Sequence, residues 1–383
     1  MRPKGKWKAL SPTVRVLVVG PLPPPVGGVE TFTAALLESS AMQNFAREHC
    51  DISKRRTKEK QGKFDAANFF WALVHFKRMF SRLVTFRPNV VYMPLTATWS
   101  GFLRDGVLAT MAKLSGAYLI GHVHGGWFDR ILALMGWRAR IVRMVLSRFD
   151  ALLMLGTKWR NLVSAYGYRG DIRIVPSMYR KELGVRASRF SRFYNEGDPI
   201  GLFVGHVGPG KGILDILEAT RVLKEQEREI RIVIVGPPQF EGDWQKVLTA
   251  RSVLKLDRQV EMTGPLEGEA LYARFEAASY LLLPSYFEGL PIVLFEAGLF
   301  GLPVITTPVG SIPDLIKHEK NGLLVSPGDI TAIAHAIERL HDSSFLRERL
   351  GHQLRKDVQR YHPEVVCTSI ASVISESLDK PSV

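Results

Sequence analysis

Tyr280-Leu-Leu-Leu283-Pro284-Ser285-Tyr286-Phe287-Glu288-Gly289-Leu290-Pro291-Ile292-Val293-Leu294-Phe295-Glu296 is the stretch that decides how this 383-residue chain reads. The apolar run Tyr280 to Leu283 has the length and composition of a buried strand. Pro284, Ser285 and Gly289 break it. Pro291 suits the first position of a helix, where a missing N–H is no loss. That helix would point its free N–H groups and positive dipole end at the loop, a ready anion site. Glu288 stands just before the site, and Glu296 lies about 7–8 Å further along the helix at 1.5 Å per residue. The pair suits an elongated ligand, with a phosphate at the helix mouth and hydroxyl groups within reach of each carboxylate. It equally suits two solvated glutamates flanking a surface helix.

Outward from this unit the same alternation of short apolar strand and helix continues. Strands are expected at Val14–Val19, Val90–Met93, Tyr118–Val123, Ala151–Leu155 and Ile172–Val175. In the second half they are expected at Ile200–Val204, Ile230–Val235, Val260–Thr263, Tyr280–Leu283, Val304–Thr306 and Gly322–Val325. The pattern implies two α/β domains with mainly parallel sheets, and the length exceeds one typical core. The polar, basic stretch Arg186–Pro199 is expected to hold the link. Ligands of open parallel sheets bind beyond the carboxyl ends of the strands, and nearly every unusual loop here follows such an end.

No apolar run reaches the roughly 18 residues of a membrane span. A basic start followed by Val14 to Val19 faintly mimics a signal peptide. Arg15 interrupts the run, however, and Pro21, Pro23, Pro24 and Pro25 follow it, so it reads as a first buried strand. The two cysteines, Cys50 and Cys367, form neither a disulfide framework nor a metal spacing. They point to a reducing cytoplasm. The net charge of +14 favours an anionic partner: nucleic acid, an acidic lipid surface or phosphorylated substrates. No aromatic-basic recognition motif supports nucleic acid.

Three further loops carry chemistry. Gly27-Gly28 precedes a helix expected from Thr31 to Glu38, where backbone amides can approach an anion unobstructed by a Cβ; a plain tight turn reads the same way. Gly205-His206-Val-Gly208-Pro-Gly210-Lys211-Gly212 nearly spells the phosphate loop of NTPases. Gly212, however, stands where the magnesium-holding hydroxyl would be. Lys211 can still neutralise phosphate oxygens as a point charge. In Gly121-His122-Val-His124-Gly125-Gly126 the two histidines point the same way in an extended chain. Familiar ligand spacing for zinc is missing, and a histidine beside a reacting sugar fits better. No Asp-x-Asp occurs anywhere in the chain to clamp a divalent ion.

Taken together these residues resemble glycosyltransferase family 4, retaining enzymes of the GT-B fold that use nucleotide sugars. The likeness is strongest from about Ile200 to Leu340. There the Gly-rich loop with Lys211, Gly264-Pro265, Pro284-Ser285, Glu288-Gly289, Glu296-Ala297, Gly301-Leu-Pro-Val-Ile and Asn321-Gly-Leu-Leu-Val stand in the family's order. It is looser from Val14 to Val175, where Gly27-Gly28-Val29-Glu30 and His122-Val-His124-Gly125 match. The resemblance implies two Rossmann-like domains facing a central cleft, residues 1–190 for the acceptor and 191–362 for the donor. Residues 363–383 would form a helix crossing back to the first domain. It also implies roles. Glu288 would hold donor-sugar hydroxyls, with the amides around Gly289 and Leu290 facing sugar and phosphate. Glu296 would bind the ribose, Lys211 the diphosphate, and Gly264, Pro265 and Leu266 the base. His124 would lie near the reacting sugar, and Gly27 and Gly28 near the diphosphate. His124, Lys211 and Glu288 are thus the catalytic candidates. His206 stands where the family often has Arg, and a histidine is mostly neutral at pH 7. Ser177 stands where the family more often has Asn, and no role is carried over to it.

The expected activity is retaining transfer of a hexosyl group from a nucleotide diphosphate, UDP- or GDP-linked, to a hydroxyl of a glycan or lipid-linked acceptor. The setting would be cell-surface polysaccharide or glycolipid synthesis. No cofactor or divalent metal is expected, since Lys211 and helix N-termini would neutralise the diphosphate. Phe64 to Phe86 with Lys54-Arg55-Arg56, and Gly136 to Phe149 with Arg138, Arg140, Arg143 and Arg148, read as basic amphipathic helices. These suit an anionic membrane surface or ordinary packing with solvated basic faces. The expected location is cytoplasmic, peripheral on the inner face of the cell membrane. Two rivals stand beside this reading. One is a nucleotide-sugar-binding or scaffold protein of the same fold with impaired catalysis, which His206 keeps open. The other is a glycoside hydrolase using Glu288 and Glu296. Its carboxylates would flank one bond about 5–10 Å apart, which an intervening helix start makes awkward.

Overall fold

A computed structural model describes residues 14–24, 27–53, 66–192 and 198–377. Pro25, Lys54, Arg55, Arg56, Phe64 and part of the anticipated link therefore lie outside the described residues. Twelve strands are present among them. The first six are β1 (Arg15–Gly20), β2 (Ala46–Asp51), β3 (Val90–Leu95), β4 (Tyr118–Val123), β5 (Ala151–Met154) and β6 (Asp171–Ile174). The second six are β7 (Ile200–Val204), β8 (Arg231–Val235), β9 (Val260–Gly264), β10 (Tyr280–Leu283), β11 (Val304–Thr306) and β12 (Leu323–Leu324). They form two wholly parallel sheets, in the orders β2-β1-β3-β4-β5-β6 and β12-β11-β10-β7-β8-β9. Every strand anticipated from apolar runs exists, shifted by no more than two residues at either end.

β2 was not anticipated. Its sequence, Ala-Arg-Glu-His-Cys-Asp, buries only Cys50 fully. It pairs with β1 alone, and an edge strand needs no apolar pattern. Pro291 is also placed differently from the sequence reading. It is the extended N-cap, and the helix runs Ile292–Leu299.

The first sheet is covered on both faces, as a parallel sheet must be. Val16 and Val18 of β1 point to one face, and Leu17 and Val19 to the other. The Val16 side packs against Phe32 and Leu36 of helix Gly28–Glu38 and against Val366, Cys367, Ile370 and Ile374 of helix Pro363–Glu376. The Leu17 side packs against helices Ala66–Phe86, Trp99–Leu114 and Gly136–Leu146 through Met79, Leu83, Phe102, Leu108 and Val142.

The chain order reverses between β1 and β3 in the first sheet and between β7 and β10 in the second. At such switch points successive crossovers leave on opposite faces and open a crevice beyond the strand ends. Both crevices belong to loops already singled out: Gly27-Gly28 after β1, Gly205 to Gly212 after β7, and Pro284 to Pro291 after β10.

Candidate functional site

The two crevices face one another. A single cavity of about 460 Å³ is lined from the first sheet by Gly27, Gly28, Glu30, His124, Gly126 and Ser177. From the second sheet it is lined by Gly205, His206, Lys211, Glu288, Gly289, Leu290 and Ile292, among others. Two helix starts open onto it. Helix Gly28–Glu38 begins at Gly27 and helix Ile292–Leu299 at Pro291, and neither has a side chain capping its first turn. Their leading N–H groups are therefore left for a ligand or water, with both positive dipole ends at the cavity. The Glu30 carboxylate folds back against Gly27 at the first of these starts.

Lys211 reaches Glu288 across the second crevice, Nζ to Oε1 at 2.6 Å. Ser285 Oγ donates to the same oxygen at 2.8 Å. Two loops hold these side chains in place. Tyr286 N–H donates to the Gly210 carbonyl at 3.0 Å, tying the loop after β10 to the loop after β7. Gly212 then takes a left-handed φ of 69° and passes so close behind the Pro284 carbonyl that a Cβ would collide with it. A second close approach joins the domains. A Cβ on Gly126 would fall 2.6 Å from the Glu288 carbonyl oxygen and from the Gly289 nitrogen. The glycines after β4 thus let one domain's backbone rest on the other's at the carboxylate.

His122 and His124 lie side by side, ring centroids 4.0 Å apart, with Phe32 edge-on to both. His122 is fully buried. Its Nε2 lies 3.0 Å from the Val175 carbonyl, which can only accept. Nε2 therefore carries the proton, and Nδ1 accepts from the Tyr92 hydroxyl at 2.7 Å. Burial, with the neighbouring His124 ring second, holds its pKa well below the ordinary value. His124 lines the cavity, and desolvation lowers its pKa to about 3. Both imidazoles are neutral at pH 7, so His124 can offer a hydrogen bond but no positive charge.

Eight of the residues singled out from sequence, Gly27, Gly28, His124, His206, Lys211, Glu288, Gly289 and Leu290, line this one cavity. Four do not. Gly264 ends β9 and Pro265 and Leu266 follow it, at the sheet edge two strands away from β7. Glu296 is 3% exposed, and its Oε1 accepts from Arg180 Nε at 2.6 Å. Sequence reasoning missed Arg180, which is 116 positions away and carries no local signal. It also gave no role to Ser177, which the fold brings into the lining. Among the described residues no group of three or more His, Cys, Asp or Glu side chains is placed to hold a metal ion.

The arrangement can bind a doubly charged anion between two helix starts and an ammonium group. Glu288, His124 and His206 then meet whatever the anion carries.

Comparison with known proteins agrees with this geometry. Residues 184–357, a little under half of the chain, match the family model described as Glycosyl transferases group 1. The sulfoquinovosyl transferase SQD2 of Arabidopsis thaliana is 23% identical over a stretch covering 76% of this chain and 58% of that protein. The alpha-D-kanosaminyltransferase of Streptomyces kanamyceticus is 31% identical over 43% of this chain and 42% of its own length. The chain thus spans about half the length of these curated relatives. Among solved structures, Anabaena HepE in complex with UDP superposes with a TM-score of 0.71 at 14% identity, covering 95% of this chain and all of that one. Likeness of that degree shows the fold, and the fold is that of the two-domain GT-B glycosyltransferases.

Proposed function

We propose that this protein is a retaining, family 4-type glycosyltransferase that moves a hexosyl group from a nucleotide diphosphate to an acceptor hydroxyl. One observation carries the reading: Lys211, Glu288, His206 and two uncapped helix starts, drawn from both domains, line one cavity. A sugar diphosphate is a ligand that needs all of them at once. The UDP held by the HepE structure supports a nucleotide as the carrier, with UDP or GDP the expected base.

In this reading the bond between sugar C1 and the β-phosphate oxygen lengthens, and negative charge grows on the diphosphate. Lys211 and the N–H groups of Gly28–Glu38 and Ile292–Leu299 stabilise that charge from fixed positions. They supply the neutralisation, so no divalent ion is required. The acceptor oxygen attacks C1 on the face the phosphate leaves, and the departing phosphate oxygen takes the acceptor's proton. Lys211 and Glu288 pair with each other at 2.6 Å, and a diphosphate competes for the same ammonium group. Glu288 holds sugar hydroxyls. His124, kept neutral, hydrogen-bonds the sugar near C1. The test is turnover of UDP- and GDP-sugars by Lys211→Ala and Glu288→Gln. Each is expected to lose ~10²–10³ in rate, the scale of one charge-stabilising group. Near-normal rates for either variant would refute the assignment.

His206, a weaker cation than arginine at this position, favours one second reading: a protein that binds nucleotide sugars without transferring them. Binding with neither transfer nor hydrolysis across a broad acceptor panel would select it.

The acceptor is proposed to be a glycan or lipid-linked sugar met at a membrane surface. Helix Ala66–Phe86 exposes Phe69, Phe70, Leu73, Phe80 and Val84, and Gly136–Leu146 and the residue before it expose Met135, Trp137 and Met144 beside Arg138, Arg140 and Arg143. Apolar side chains beside cations suit an anionic bilayer surface. Among the described residues no helix is long and apolar enough to cross a membrane. Flotation with anionic but not neutral liposomes is expected, and flotation with neither would remove membrane attachment from the proposal.

A further inference from the structure

Beyond the Lys211–Glu288 pair lies a second, smaller cavity of about 250 Å³. It shares Gly126, Lys211, Glu288 and Gly289 with the larger one, so the two chambers meet at the ion pair. Its remaining wall comes from both domains: Ala97, Gly125 and Trp127 from the first, and Gly210, Gln239 and Phe287 from the second. The volume falls below the ~300–1,000 Å³ of pockets that take drug-sized ligands, and it suits a single ring.

Its chemistry differs from that of the diphosphate chamber. Trp127 and Phe287 meet edge to face at 6.3 Å across the domain seam. Arg130 of helix Phe128–Leu132 stands outside this wall and lies over both rings, 4.4 Å from the Trp127 centroid and 5.2 Å from that of Phe287. Among the described residues the Arg130 guanidinium makes no hydrogen bond or ion pair. The adjacent Asp129 spends Oδ1 on the Arg130 backbone N–H. A guanidinium stacked on aromatic faces is held in a fixed plane while its N–H edge stays unspent. That geometry receives carboxylate or phosphate oxygens in a fork.

We infer that this chamber is the acceptor subsite, and that it takes a sugar ring bearing an anionic group, with the ring against Trp127 and Phe287 and the anion reaching past them to Arg130 beyond the wall. The inference rests on the glycosyltransferase reading above and names the acceptor class for it. A phosphate linking the ring to a lipid and a uronic acid carboxylate present the same chemistry to Arg130. Because Trp127 and Phe287 belong to different domains, the subsite is complete only when the domains meet. Its occupant would then sit against Glu288 and Lys211, where this chamber adjoins the one assigned to the diphosphate.

Calorimetric titration of the full-length protein loaded with UDP or GDP tests this. The probes are the 1-phosphates of glucose, galactose and N-acetylglucosamine, the methyl glycosides of the same sugars, and methyl glucuronide and galacturonide. At least one anionic probe is expected to bind tenfold or more tightly than its neutral counterpart. The phosphate and carboxylate arms show which anion is preferred. Arg130→Gln, at an exposed position, should erase that gap while leaving nucleotide affinity within twofold, and Trp127→Leu should weaken every probe. Equal affinity for anionic and neutral probes, or a gap that survives Arg130→Gln, overturns the inference while leaving the donor site standing. If neither UDP nor GDP binds, the donor reading fails and this one fails with it.

Discussion

His124 shows how far one side chain's surroundings set its chemistry. The dipeptide spacing to His122 put both rings on one side of β4, and the structure stacks them 4.0 Å apart. Burial strips the His124 ring of water, so its neutral form prevails. With the His124 pKa at about 3 when folded and ~6.5 when unfolded, the unfolded chain binds more protons throughout the interval between. Stability from this residue is full above about pH 6.5 and is lost as pH falls toward 3. The loss is at most ~1.4 kcal/mol per pH unit, and less to the extent that the cavity admits water. Urea unfolding at pH 7.0 and 5.0 should show a smaller drop for His124→Asn than for the parent chain. Identical drops would mean that His124 is already solvated in the native state. The larger family of cavity residues, from Gly27 to Leu290, was legible because each follows a strand that an apolar run announces. Arg130, Trp127 and Phe287 were not, because their meeting depends on how two domains face each other.

At the scale of elements, the link between the domains is held by ion pairs that no local pattern reveals. Helix Lys181–Ser188 is fastened to the second domain by Arg180 on Glu296 and by Arg186 on Glu276, each at 2.6 Å. Arg192 donates to the carbonyls of Phe275, Ala278 and Phe300. Sequence reading took Arg186–Pro199 for a link because it is polar and basic. Within it Arg186 and Arg192 cover a carboxylate and carbonyls at helix ends of the second domain. The Arg180–Glu296 pair is the most buried of these. Burial alone pulls the arginine pKa down, and Glu296 more than restores it. Arg180→Met would leave a carboxylate that is 3% exposed without its cation, at a cost of ~3–5 kcal/mol. Arg180→Met with Glu296→Leu removes both charges and should recover most of the loss. Unfolding free energies of the two variants decide it, and equal losses would show that Glu296 is satisfied by water from the cleft. The helix start at Glu288–Glu296 was readable from Pro291 and the apolar run. The partner that keeps Glu296 out of the cavity lining was not.

At the scale of the whole molecule, the chain crosses between its domains more than once. Asp314 of the second domain accepts from the Thr157 N–H at 2.6 Å, capping the start of helix Thr157–Ala165 in the first. Helix Pro363–Glu376 then returns to the first sheet, where Glu364 accepts from the Ser39 and Ser40 hydroxyls and Glu376 pairs with Arg173. Its apolar side chains close the Val16 face, so the first domain's core is complete only when the end of the chain has arrived. Ile370 is fully buried there among residues contributed by opposite ends of the sequence. The fold's parallel strands could be read one at a time, but this closure could not, because it joins stretches more than 300 positions apart. Ile370→Ala removes buried methyl groups and leaves a cavity, which should cost ~2–5 kcal/mol. Ile370 does not line either chamber, so nucleotide affinity measured well below the melting temperature should stay within twofold. Chemical denaturation and UDP titration on the same preparation check both halves. A large loss of UDP affinity at full stability would show that the returning helix sets the distance between the domains, rather than serving only as the first domain's missing layer.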